Sequence, residues 1–202
     1  MPQDIALSAP LPEGPLQISV FGTSLSAPPQ TWPDMLGQRL TACRTAPVTV
    51  ARVAEPGMGS AWALEQVARV VATGPDLVLI EFAINDADLR DGVSVGISRK
   101  QHIDLIAAVR RTSPDSQIAL MTMSPATGLR GWIRPRLAAH YDQYRSLATT
   151  ERLGLIDLYP RWLAVPRDRR GLEADGLHPH PAVAEQIIIG AVADYFGCPQ
   201  PS

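Results

Sequence analysis

A serine hydroxyl becomes a useful nucleophile only when a neighbouring base takes its proton, and this chain holds the parts for such an arrangement. Ser24 follows an apolar run, LQISVF at 16–21, that ends at Gly22. Far downstream lies His178, preceded at a distance of three residues by Asp175. A loop of that length lets the carboxylate hold one ring nitrogen of His178 while the other faces Ser24, an oriented base activating a hydroxyl. A tetrahedral intermediate would also need donors aimed at its oxyanion. The side-chain amide of Asn85, a backbone N–H at the glycine turn of 55–59 and the N–H of Ser24 could supply them. Ser24 stands where a strand gives way to a helix, which places its backbone near the positive end of a helix dipole.

Each of these residues also has a plainer use. Serine after a strand commonly caps a helix, the NDAD run at 85–88 suits a polar turn, and an Asp three residues before a His arises by chance. Their weight comes from the elements that carry them. Apolar or β-branched runs at 16–21, 47–53, 74–82, 117–123 and 153–158 read as strands. Helical spacing fills about 30–43, 60–71, 99–111, 136–149 and 181–195, with Ser60 as the cap of the second helix. Strands alternating with helices require crossover connections, hence a parallel sheet with helices on both faces, a three-layer α/β/α domain. Such sheets put their sites beyond the C-terminal strand ends. Ser24, the 55–59 turn and Asn85 all follow strands there, and Asp175–His178 precedes the last helix.

In that order and at comparable spacing, GTSLS at 22–26, AIND at 83–86 and DGLHP at 175–179 resemble the blocks of the SGNH (GDSL-type) hydrolase family. The resemblance spans about residues 16–195 and implies a flavodoxin-like fold with five parallel strands. It implies Ser24 as nucleophile, Asp175 and His178 as the remaining catalytic pair, and Asn85 as an oxyanion donor. The family's block after strand two pairs a glycine with a leucine seven residues on; Gly57 meets that offset with Leu64 and puts Ser60 in register, which favours Gly57 over Gly59. The chain departs from the pattern at Thr23, where the family has Asp, at Ala83, where it has Gly, and near Arg52, where it often has Asn. None of these removes a reacting group. The activity implied is cofactor-free and metal-free hydrolysis of a carboxylic ester. A short-acyl ester such as an acetylated carbohydrate is favoured because no wide apolar insertion suggests a long acyl channel. Thioesterase or lysophospholipase activity is the competing enzymatic reading, and a glycan-binding domain without turnover the non-enzymatic one.

The rest of the chain sets bounds. Its 202 residues fit one domain over 16–202 after a proline-rich extended arm at 1–15. A net charge of −2 offers no case for nucleic acid or an anionic membrane surface, and no apolar run is long enough to span a bilayer. The N-terminal stretch lacks the basic start and apolar segment of a secretory signal, which points to the cytoplasm. Cys43 and Cys198 fit no metal spacing and are expected as free thiols. His102 and His140 are expected solvated or half-buried, and His180 at a pocket rim without a carboxylate partner. The HPH run at 178–180 is too tight for a metal site. Two segments stay open. The 128–136 run, with Arg130, Trp132, Arg134 and Arg136, suits either a carboxylate, phosphate or sugar face of a pocket or a solvated loop whose Trp packs on the domain. The loop at 88–100 is either a lid or a connector.

Overall fold

The computed structural model describes residues 2–198. Five parallel strands form one sheet: β1 (Leu16–Gly22), β2 (Val48–Ala54), β3 (Leu77–Glu81), β4 (Gln117–Thr122) and β5 (Gly154–Asp157), in the order β2-β1-β3-β4-β5. β3 is buried at every position because helices cover both faces of the sheet, which is why its sequence is a continuous apolar run rather than an alternation. The helices α1 (Trp32–Cys43), α2 (Ser60–Val71), α4 (Val95–Thr112) and α6 (Leu137–Glu151) follow the sequence periodicity. Short helices α3 (Ala83–Asp86), α5 (Gly128–Trp132) and α7 (Leu158–Ala164) lie in what the sequence presents as loops. The last helical stretch is broken into α8 (Pro181–Ala184), a wider π turn at Glu185–Ile189 and α9 (Gly190–Tyr195).

The flavodoxin-like order reverses direction between β1 and β3, and that switch point leaves a crevice above the strand ends. Ser24 follows β1 and Asn85 follows β3, so the crevice is flanked by both. α2, α4 and α6 pack together on one face, while α1 and α9 pack on the other. Ile18 and Val20 of β1, Leu79 and Ile80 of β3, and Leu36 and Leu40 of α1 are fully buried.

The N-terminal arm runs along the sheet's edge. Ile5 exchanges two backbone hydrogen bonds with Leu155 of β5, at 3.0 and 2.9 Å, and Asp4 accepts from the N–H of Asp157 at 2.9 Å. An edge strand left open is a template for unwanted pairing, and this segment covers β5.

Two expectations change here. Ser60 is the first residue of α2 rather than its cap, and Gly59 takes the cap position. Cys43 and Cys198 are not free thiols: they form a disulfide with Cα atoms 5.8 Å apart. The cause is tertiary, since α1 ends at Cys43 against α9, and Cys198 follows α9 directly. The bond closes a loop across a sequence separation of 155 residues. Replacing both cysteines by alanine is expected to cost about 2–4 kcal/mol, a drop in Tm of roughly 5–15 °C. Thermal melts of the variant, and of the unmodified chain with and without reductant, read it directly. An unchanged Tm would mean that closing this loop contributes nothing.

Candidate active site

Ser24 sits on a tight turn directly after β1. The N–H groups of Ser26 and Ala27 both donate to the Thr23 carbonyl at 3.0 Å, and Pro28 and Pro29 stop the turn from propagating as a helix. α1 begins only at Trp32, so the helix dipole expected at Ser24 is not there. What holds the turn is Glu81, a fully buried carboxylate at the end of β3. It accepts from the Thr23 N–H at 2.6 Å, the Ser26 hydroxyl at 2.7 Å and the Thr23 hydroxyl at 3.0 Å. Gly22 makes this approach feasible, because a Cβ there would lie 2.1 Å from Glu81 Oε1. Burial pushes the Glu81 carboxyl up to about 7, and the hydrogen bonds from Thr23 and Ser26 offset only part of that.

His178 and Asp175 lie on a short hairpin, closed by Glu173 N–H to the His178 carbonyl and His180 N–H to the Gly171 carbonyl, both at 2.7 Å. At its tip one oxygen of Asp175 accepts from the N–H groups of Leu177 and His178, at 2.9 and 3.1 Å. The other accepts from His178 Nδ1 at 2.6 Å. His178 Nε2 lies 2.8 Å from Ser24 Oγ, so the three side chains form one hydrogen-bonded line. Partial burial raises the Asp175 carboxyl, but the bonds from Leu177 and His178 outweigh it and hold it at about 2. The hairpin is fastened to the segment after β4: Thr127 N–H donates to the Gly176 carbonyl at 2.7 Å. Gly176 has a φ of +73°, and a Cβ there would meet the Thr127 carbonyl oxygen at 2.6 Å, so glycine is required on both counts.

Asn85 is buried in α3, and its amide donates to the Met58 carbonyl at 2.9 Å. That bond ties α3 to the turn carrying Gly57. Gly57 has a φ of +77°, follows Pro56, and lies in a turn closed by Met58 N–H to the Glu55 carbonyl at 3.3 Å, which is why glycine stands there. Gly59 has another role, since a Cβ on it would lie 2.4 Å from Asp86 Oδ1. Asp86 in turn accepts from the Ser60 N–H and hydroxyl at 2.8 and 2.6 Å and from the Ser98 hydroxyl at 2.5 Å.

The sequence profile of the GDSL-like lipase/acylhydrolase family matches residues 19–185. The chain belongs to this family. It is an acylhydrolase, and its sheet and flanking helices have the SGNH hydrolase fold. A lipase/acylhydrolase from Enterococcus faecalis superposes with a TM-score of 0.78 at 23% identity, over 93% of this chain and 98% of that one. TesA superposes with a TM-score of 0.71 at 22% identity, over 89% and 97%. A catalytic mutant of an acetylxylan esterase from Geobacillus stearothermophilus does so with 0.74 at 17% identity, over 93% and 97%. At these identities the likeness is one of fold. No curated protein sequence matches the chain.

Several side chains of the acylhydrolase depart from their sequence reading. His102 is fully buried between α4 and α6, its Nδ1 donating to the Ser98 carbonyl at 2.8 Å and its Nε2 accepting from the Tyr144 hydroxyl at 2.7 Å. Tyr144 then accepts from the N–H of Phe82 at 2.9 Å, so this histidine props the entry to α3. His140 is buried as well, and burial lowers the pKa of both rings. His180 does have a carboxylate partner, Glu173 Oε1 at 2.7 Å, because the hairpin folds the two strands back on each other.

The two open segments also resolve. Arg134 turns inward, donating to the Ile84 carbonyl at 2.8 Å and pairing with Asp88 at 2.9 Å, which clamps α3 from behind. Trp132 does not pack on the domain but is 85% exposed. Residues 88–100 form a pinned connector: Asp88 is held by Arg134 and Arg90, and α4 starts at Val95 behind a Ser94 cap that accepts from Ile97 at 3.2 Å. Glu81 is the site residue the sequence reading passed over. Its signal was there, a lone carboxylate inside the apolar run LVLIEF.

Proposed function

We propose that this acylhydrolase cleaves short-acyl carboxylic esters, with acetylated carbohydrates as the substrate class, through an acyl-enzyme on Ser24. The observation that carries the reading is the line from Asp175 through His178 to Ser24, with 2.6 and 2.8 Å between the interacting atoms. Asp175, held at about 2, is ionised at working pH and keeps the proton of neutral His178 on Nδ1, which frees Nε2 to accept from Ser24. The Ser24 hydroxyl oxygen attacks the ester carbonyl as its proton passes to Nε2. The oxyanion is met by the second N–H of the Asn85 amide, whose first donates to Met58, and by the N–H groups of Ser24 and Gly57, which donate to no other group among the described residues. The imidazolium then protonates the leaving alcohol, and water releases the acyl group by the reverse steps.

Acyl length follows from space. A recess of about 250 Å³ beside Ser24 and His178 is walled by Leu25, Trp32, Met35 and Pro181, below the usual range for a site that engulfs a drug-sized ligand. We expect kcat/KM on 4-nitrophenyl esters to be highest at two to four acyl carbons and to fall with every further pair, measured from two to twelve carbons. A maximum on long chains or on acyl-CoA would replace this substrate class with a lipid or thioester one, and no turnover of any ester would leave the glycan-binding reading. No helix among the described residues is long and apolar enough to cross a membrane. The Cys43–Cys198 disulfide favours an oxidising compartment over the cytoplasm expected from the sequence.

A further inference from the structure

Behind the catalytic hairpin lies a second and larger cavity of about 730 Å³. The hairpin itself is the partition: Asp175 and Gly176 line this cavity, His178 lines the recess beside Ser24, and Glu173 lines both. Thr127 to Arg130 and the segment 167–172 complete its lining. Four arginines are among the residues that line it, Arg130, Arg167, Arg169 and Arg170.

These arginines are not paired with carboxylates among the described residues. Arg170 is anchored by the carbonyls of Val165 and Leu163 at 3.0 and 3.2 Å, neither of which is an anion. Arg130, Arg167 and Arg169 make no salt bridge among the described residues, whereas the carboxylates on the same walls are already engaged. Glu173 is paired with His180 at 2.7 Å and Asp175 with His178 at 2.6 Å. Against the four arginines stand three carboxylates, Asp168, Glu173 and Asp175, so the cavity keeps a small excess of positive charge. Arginines gathered in a concave site and lacking acidic partners match the geometry and charge of a carboxylate or phosphate.

Resting on the esterase reading, we infer that this arginine-lined cavity binds an anionic group, a carboxylate or phosphate, carried by the ester substrate on the side away from the small recess. The acyl group occupies the recess beside Ser24, and the leaving group passes the hairpin and ends in the anion. The cavity lies one imidazole and two hydrogen bonds from Ser24 Oγ, so a leaving group of sugar size spans the gap. An acidic sugar bearing a short acyl ester has both features.

The test compares ω-acetoxy carboxylic acids of increasing chain length with the matching neutral primary amides, following acetate release. At one chain length the acid is expected to exceed its amide in kcat/KM by about tenfold or more, mainly through KM. The preference should shrink as salt is raised and vanish in the Arg167→Gln/Arg169→Gln double variant, with the fold checked by thermal melting. A second variant, Arg130→Gln, removes a lining arginine from a different segment of the chain and should lower the same ratio. Acid and amide hydrolysed equally at every length would overturn the anionic subsite and leave the esterase reading standing. Hydrolysis of neither would overturn the esterase reading and the subsite with it. An acid preference that survives all three arginine replacements would also overturn the assignment, since the anion would then be held elsewhere.

Discussion

Replacing Ser24 with alanine is expected to lower kcat on 4-nitrophenyl acetate by about 10⁴- to 10⁶-fold, and His178→Ala to do the same. The two replacements should not add. Nucleophile and base act on one proton across a single 2.8 Å contact, so once either is gone the other has nothing left to do, and the double variant should match the single ones. Asp175→Asn is the more discriminating change. The asparagine fills the same space on the hairpin, but its amide can donate to Nδ1 and so favours the tautomer with the proton on Nε2, where Ser24 needs an acceptor. A fall of about 10⁴-fold with little change in Tm is expected. Steady-state kinetics with thermal melts of each variant decide the matter: turnover persisting in Ser24→Ala would sink the acyl-enzyme, and full activity in Asp175→Asn would remove the orienting role.

Glu81 gives the second large effect, and it appears in stability against pH. Its carboxyl is raised from 4.5 to about 7 by burial, so between those values the folded chain retains a proton that the unfolded chain releases. Stability therefore falls as pH rises through that window, with the loss complete above the folded value. The full span is worth ~3 kcal/mol from the size of the shift. Glu81→Gln removes the titration and keeps an acceptor for the Thr23 N–H, so its unfolding free energy should lose this slope between pH 4.5 and 7, as urea melts at several pH values would show. The Glu81→Ala variant loses the acceptor as well. Three donors beneath Ser24 are then unsatisfied, the turn is free to shift, and a displacement of the nucleophile on the order of 1 Å costs about 10²-fold in kcat. A Glu81→Gln variant with the same pH slope as the parent would show that the titrating group lies elsewhere.

The sequence by itself carried the alternation of strands and helices, and with it the edge of the sheet where polar side chains can gather. It also singled out Ser24, Asn85, Asp175 and His178 as candidates, because each stands at a strand end or within a few residues of a possible partner. The Asp175–His178 contact is an example: a hairpin of local hydrogen bonds closes it, and three residues of spacing suffice to read it. The tertiary structure alone decided everything that depends on how distant elements are rotated against one another. It joined Cys43 to Cys198, buried His102 and His140 between packed helices, and turned Arg134 inward onto Asp88. It also set Glu81 under the Ser24 turn, a relation between neighbouring strands that depends on parallel register pairing Gly22 with Glu81. Periodicity reports which face of an element is apolar, but the partner that face meets is fixed only when the layers pack. For that reason the Asp175–His178 pair and Arg130 could be singled out along the chain, while the carboxylate that holds the Ser24 turn and the gathering of Arg167, Arg169 and Arg170 beside Arg130 could not.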